Sequence, residues 1–212
     1  TAHTPAKVNL TLLVGPRRAD GYHELFSVFA PIDLCDELEF DLAVAPAPAP
    51  GSDGDLSGPA EGAAPPGRDV GVADAGGVVV SCPGIDAADN LVARALRALA
   101  EAAGRGIVGE VKVRKAIPVG AGLGGGSSDA ALALRAGAEL LAREAGIDVA
   151  AAQLGRIAAA LGADVPFFLA EGPAMARGIG ERLEPTTLPP LHLVLVPPTE
   201  PLSTPLVYRT FD

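Results

Sequence analysis

The chain has 212 residues, 49% hydrophobic but only 4% aromatic, and a formal net charge of −10. That length suits one large domain or one and a half ordinary ones. The acidity argues against non-specific binding to nucleic acid or to an anionic membrane, and no apolar run approaches the roughly 20 residues of a membrane-spanning helix.

The predicted elements follow in chain order. Residues 5–14, PAKVNLTLLV, read as a half-buried strand, with Lys7, Asn9 and Thr11 alternating with Val8, Leu10 and Leu12. A polar turn, GPRRADGYHEL, precedes a second strand region over 26–44. Residues 45–77 are dominated by Pro, Ala, Gly and Asp and are expected to be a flexible surface insertion outside the core. VVVSCPG returns to strand character. Residues 90–104 predict a helix with Asn90 as N-cap and Gly104 as its stop. Residues 107–118 read as a strand ended by Pro118.

A long helix is expected from Ser127 or Ser128, either of which is a suitable N-cap, with Asp129 in a first turn where it suits the helix dipole. Asp148 opens another helix that Gly162 closes. Residues 163–185 read as a loop, a strand and a hairpin, and LHLVLVPP (191–198) as a last apolar strand. Strands first and a mixture afterwards suggest an α+β fold rather than regular βαβ winding. Cys35 and Cys82 lie in no CxxC pair, and no basic start precedes an apolar block, so a reduced, cytoplasmic protein is expected. His3, His23 and His192 have no metal-ligand spacing.

PVGAGLGGGSSDAA, residues 118–131, holds five glycines within seven residues between a strand and a helix. Ordering glycine is costly, and a simple strand-to-helix connection needs one or two. A glycine loop at a helix N-terminus presents backbone N–H groups to an anion without Cβ collisions. No lysine follows as a Walker A loop requires. Gly120, Gly122 and Gly125 satisfy GxGxxG, but Glu144 falls inside a helix rather than at the end of a second strand, which disfavours a dinucleotide fold.

This segment resembles the phosphate-binding motif of the GHMP kinases. PAKVNLTLLVGPRRADGYHELFSVFAPIDLCDEL and LGADVPFFLAEGPAMARGIGE are similar to the branch of that family acting on 4-diphosphocytidyl-2-C-methyl-D-erythritol, in the non-mevalonate isoprenoid route. The resemblance implies a GHMP kinase N-terminal domain (ribosomal protein S5 domain 2-like) over 1–190, and the start of a C-terminal domain over 191–212. Family members run further and carry a second glycine loop of the type SGSGxxxF, which nothing in these residues matches; most of the C-terminal domain is expected to be absent.

It implies ATP and Mg2+, with the triphosphate on Pro118, Gly120, Ala121, Gly122, Leu123, Gly124, Gly125, Gly126, Ser127 and Ser128. Lys115 is expected near ribose or phosphate, and Asn90 and Leu91 near adenine. Asp164 matches the family's catalytic aspartate, as general base or as the group orienting the hydroxyl, with Lys7 as its cationic partner. Asn9 is expected to hydrogen-bond substrate. Tyr22 would stack on cytosine and His23 bind its edge, with Phe29 and Tyr208 completing the pocket and Thr204 nearby. The implied partner is a small cytidine diphosphate-linked methylerythritol, with no nucleic acid and no membrane, in a monomer or homodimer. Another GHMP small-molecule kinase, or a nucleotide-binding module without turnover, are the alternatives.

Overall fold

The computed structural model describes residues 1–19, 21–46, 72–74, 77–85, 89–170 and 172–196. Strands β1 (Ala2–Arg17) and β2 (His23–Val44) form a long antiparallel pair. The far edge of β2 is shared: its first part pairs β6 (Ala174–Gly178), and its last part pairs β5 (Ile107–Arg114). Strand β4 (Val78–Ser81) lies parallel to β5, and β3 (Val72–Asp74) and β7 (Arg182–Pro185) extend the sheet at its two ends. The seven strands run β3-β4-β5-β2-β6-β7, with β1 against β2 off that path.

Helix α1 (Leu91–Ala103) connects β4 to β5 as a parallel crossover. Asn90 Oδ1 accepts from the backbone N–H groups of Val92 and Ala93 at 3.0 and 3.2 Å, and Gly104 closes the helix at φ 62°. Val92, Ala95, Leu96 and Leu99 form its buried stripe at helical spacing. α1 packs over β4 and β5, while helix α2 (Gly125–Ala145) packs over β2 and β1. Between the two helices the contact is close: a Cβ on Gly137 would lie 2.6 Å from Leu99 Cδ2. Leu38, Val80, Val111, Leu134 and Leu141 complete the centre of the core. Helices α3 (Ala151–Leu161) and α4 (Val165–Leu169) form a corner against α2.

Several expectations need correction. Strict alternation in β1 fails: Ala6 and Lys7 are both buried, and Asn9 and Leu10 are both exposed. A register shift between Asn9 and Thr11 leaves Leu10 unpaired, and Leu10, Leu12 and Leu13 are exposed, Leu13 at 62%. Lys7 is buried, where alternation on a half-buried strand would have put it on the polar face. Helix α2 starts earlier than a serine cap would allow: its N-cap is Gly124, in the left-handed region, and both serines lie within the helix. Asp129 lies beyond the first turn and is turned into an ion-pair network. α3 begins at Ala151, not at Asp148. The expected strand over VPFFL is the short helix α4, whose early Pro166 fits a first turn, though the hairpin that follows is present as β6–β7. Residues 191–196 form no strand and leave Val194 and Val196 open to solvent. Near the end of the segment read as an insertion, Val72–Asp74 is paired as β3.

Candidate active site

The glycine segment connects β5 to α2 and borders a cleft of about 270 Å3. One wall is apolar, with Cys82, Ile85, Leu91, Val113 and Ile117. Burial pushes the Cys82 thiol up, against the pull of Lys115, which keeps it a neutral wall element. Residues 118–127 of the glycine segment supply the rest of the lining, with Asp89, Asn90, Val92, Lys115 and Asp129. Gly120, Gly122 and Gly124 all take positive φ, at 74°, 73° and 72°. The alternation ends at the start of α2, whose first residues line the cleft; their N–H groups have no intrahelical partner and stand at the positive end of the helix dipole.

Two of these glycines are required by their neighbours. A Cβ on Gly124 would meet the Phe168 ring at 2.9 Å and Lys7 Cγ at 3.1 Å. On Gly125 it would meet Ile117 Cγ2 at 2.9 Å and Asp36 Oδ2 at 3.1 Å. The loop therefore presses against two charged side chains that come from other strands.

The first is Lys7. Its backbone N–H donates to the Leu123 carbonyl at 2.9 Å, fastening β1 to the loop. Its ammonium lies 3.3 Å from Asp164 Oδ2, donates to Asn9 Oδ1 at 2.8 Å and sits 5.0 Å from the centre of the Phe29 ring. Lys7 is 6% exposed, whereas the Asp164 side chain is 32% exposed. The cation is thus held from within, and the carboxylate keeps an open side. Asp164 occupies the corner between α3 and α4, where Gly162 approaches Ser127 of α2. Asn9 also donates to Ser27 Oγ at 3.0 Å, and that hydroxyl donates to the Thr11 carbonyl at 2.6 Å.

The second is Asp36, which forms a trio with Lys115 and Asp129; sequence reasoning placed Lys115 by the nucleotide but missed Asp36. Lys115 Nζ donates to Asp36 Oδ2 and, at 2.8 Å, to Asp129 Oδ2. Asp129 Oδ1 accepts from Thr4 Oγ1 at 2.8 Å. Burial pulls the Lys115 ammonium down, but the charge and hydrogen bonds of Asp129 and Asp36 outweigh it and hold it above its ordinary value. Burial pushes the Asp129 carboxyl up despite Lys115. Asp36 is one of five acidic residues in DLCDELEFD, but strand alternation puts it on the face of Leu38 and Phe40, opposite Glu37, Glu39 and Asp41, and that period is the signal that could have found it.

The predicted residues divide into separate groups. Pro118, Gly120 to Ser127, Lys115, Asn90 and Leu91 all line the cleft, though Asn90 Oδ1 is committed to capping α1. Ser128 is buried one residue further along the helix. Lys7, Asn9 and Asp164 meet beside the loop. Tyr22 is 59% exposed at the β1–β2 turn, and His23 is buried, its Nδ1 2.9 Å from the Gly15 carbonyl. Phe29, expected beside Tyr22 in an aromatic pocket, is a core residue: it packs edge-on to Phe167 at 5.2 Å and lies under the Lys7 ammonium. Thr204 and Tyr208 lie outside the described residues. Among the described residues, no three His, Cys, Asp or Glu side chains converge as a metal site, and no helix is long and apolar enough to cross a membrane.

Residues 90–172 match the family described as GHMP kinases N terminal domain. The 4-diphosphocytidyl-2-C-methyl-D-erythritol kinase of Anaeromyxobacter sp. (strain Fw109-5) is 45% identical over 197 residues, 93% of this chain and 54% of that relative. The kinase of the same name from Pelotomaculum thermopropionicum is 44% identical over 213 residues, 100% of this chain and 63% of the relative. A crystal structure of 4-(cytidine 5'-diphospho)-2C-methyl-D-erythritol kinase superposes with TM-score 0.65 at 40% identity, covering 98% of this chain and 63% of that one. The chain spans about half the length of its Anaeromyxobacter relatives. Its mixed α+β sheet and the glycine loop at the start of α2 thus go with a likeness to the GHMP kinases, whose N-terminal domain model residues 90–172 match.

Proposed function

We propose that the protein of which this chain is part, or the whole, transfers the γ-phosphoryl group of ATP to the 2-hydroxyl of 4-diphosphocytidyl-2-C-methyl-D-erythritol. The observation that carries this reading is the Lys7–Asp164 pair, 3.3 Å apart and joined to the phosphate loop through the Lys7–Leu123 backbone bond. Phosphoryl transfer asks a protein chiefly for positioning, charge neutralisation and a destination for the hydroxyl proton.

Each requirement has a residue in place. The N–H groups at the start of α2 receive the phosphates, and the apolar wall with Asn90 and Leu91 receives the base. The acceptor oxygen forms its bond to the γ-phosphorus while the bond from that phosphorus to the β–γ bridging oxygen breaks, releasing ADP. The hydroxyl proton passes to Asp164, or Asp164 orients the hydroxyl for attack. Lys7 steadies that carboxylate and favours negative charge on the attacking oxygen. Mg2+ would be held by the phosphates together with the Ser127 hydroxyl, because a small hard cation keeps several waters and needs few protein oxygens. It would neutralise charge on the phosphates. Tyr22 and His23 are assigned to cytosine: the Tyr22 ring is exposed for stacking, and the Gly15 carbonyl fixes the His23 ring.

Calorimetry with an ATP analogue and with cytidine phosphates, followed by an ADP-release assay, tests the reading. Binding of both ligands and ADP release only with the cytidylated acceptor are expected. Binding without release would favour a nucleotide-binding module, and release without cytidine preference another small alcohol.

A further inference from the structure

We propose that Asp36 is a positioning residue for the nucleotide, fixing through Lys115 the direction of a cation at the floor of the phosphate cleft. The inference rests on the reading of that cleft as the ATP site.

Asp36 is 0% exposed. Its Oδ1 accepts from the backbone N–H groups of Ala116 and Ile117, at 2.7 and 2.9 Å, where β5 passes into the glycine loop. Its Oδ2 accepts from Lys115 Nζ and lies under Gly125, the first residue of α2. One carboxylate therefore touches the strand end, the cation and the start of the helix.

The charge balance at this spot is unusual for an anion site. Asp36 and Asp129 are two buried carboxylates sharing one ammonium, which leaves net negative charge beneath a loop built to receive phosphate. A single ion pair would have neutralised Lys115. The second carboxylate adds desolvation cost and repels an arriving anion, so electrostatics alone does not account for it. Geometry does. An ammonium carries three donors on a flexible stem. Asp36 and Asp129 take two of them from different elements, β2 and α2, and so leave one N–H with a set direction. Lys115 lines the cleft with its side chain 14% exposed, and that remaining donor is the one a phosphate oxygen would meet.

The test uses the chain as it stands, titrated calorimetrically with Mg-ATP and with inorganic triphosphate, well below the unfolding temperature of each variant. In Asp36→Asn the Oδ1 acceptor for Ala116 and Ile117 is kept, while an amide NH2 replaces Oδ2 opposite the ammonium. The variant also removes a negative charge from beside the anion. Removal of charge alone tightens binding of both probes; loss of position weakens it, by about tenfold where one charge-assisted hydrogen bond to a phosphate is forfeited. Weaker binding of both probes is expected. Asp129→Asn, which keeps an acceptor for Thr4, is expected to change affinity in the same direction and carries the test if Asp36→Asn does not fold. Unchanged or tighter binding in a folded variant overturns the positioning role while leaving the ATP site standing. A wild-type chain that binds neither probe overturns the phosphate-cleft reading and the positioning role with it.

Discussion

Lys7 joins the phosphate loop to Asp164: its backbone N–H holds the Leu123 carbonyl at 2.9 Å and its ammonium reaches Asp164 at 3.3 Å. The carboxylate is partly open to solvent, and among the described residues Lys7 is its ion-pair partner. Asp164→Asn keeps the shape but removes the proton acceptor. We expect ADP release in the presence of acceptor to fall by about 10²–10⁴, with ATP affinity changed less than about threefold. Steady-state turnover beside calorimetric Kd values checks this. Near-normal turnover in the folded variant would remove Asp164 from the mechanism.

Tyr22 sits at the β1–β2 turn, away from the glycine cleft's lining residues. A stacked base contributes about 1–3 kcal/mol. Tyr22→Ala is therefore expected to weaken binding of cytidine diphosphate by roughly tenfold or more, and to leave ATP affinity unchanged. Equal losses for both nucleotides would show that the tyrosine serves the fold rather than cytosine.

Local signals in the sequence were reliable where a backbone rule decided the outcome. Asn90 and Gly104 bound α1 as their capping chemistry requires, and the glycine run does precede a helix. They failed where a tertiary contact decided. A serine cap on α2 loses to Gly124, because the loop must pass against Phe168 and Lys7 with positive φ. VPFFL has the composition of a strand, yet Phe167 and Phe168 pack as a helical turn against Phe29 and the loop. Asp36 was only half legible: strand alternation puts it on the inward face with Leu38 and Phe40, away from Glu37 and Glu39, but its partners, Ala116, Ile117 and Lys115, are remote in sequence.

Three glycines with nearly the same backbone angle separate conformational strain from collision. Gly122, Gly124 and Gly146 have φ of 73°, 72° and 65°, but only Gly124 has atoms within 4 Å of a would-be Cβ. Alanine at Gly122 or Gly146 is expected to cost about 1–2 kcal/mol for the left-handed conformation. Alanine at Gly124 adds a clash with an aromatic ring and with the Lys7 stem, for about 1–3 kcal/mol more. Denaturant unfolding of the three variants measures the difference, and equal losses at all three positions would show that the loop moves away from Phe168 at no cost.

The trio also predicts how stability depends on pH. Burial, against the pull of Lys115, holds the Asp129 carboxyl above its ordinary value. The folded chain then binds that proton more tightly than the unfolded chain does. Its stabilisation is present below the unfolded value and is lost as pH rises through the folded value. Asp129→Asn cannot titrate there. As pH rises above the ordinary aspartate value of about 4, the wild type should therefore lose stability relative to the variant. Each kcal/mol lost lowers Tm by about 2–4 °C in a chain of this size. Lys115 acts at the other limb. Although burial pulls it down, its two carboxylates raise it overall, so its contribution is complete below the unfolded lysine value and disappears as pH rises through the folded one. Thermal unfolding of wild type and Asp129→Asn across this range, read as the difference between their Tm values, isolates these groups from the other titrating side chains. A difference that stays constant from acid to neutral pH would mean that Asp129 is an ordinary carboxylate and that Lys115 fully compensates its burial.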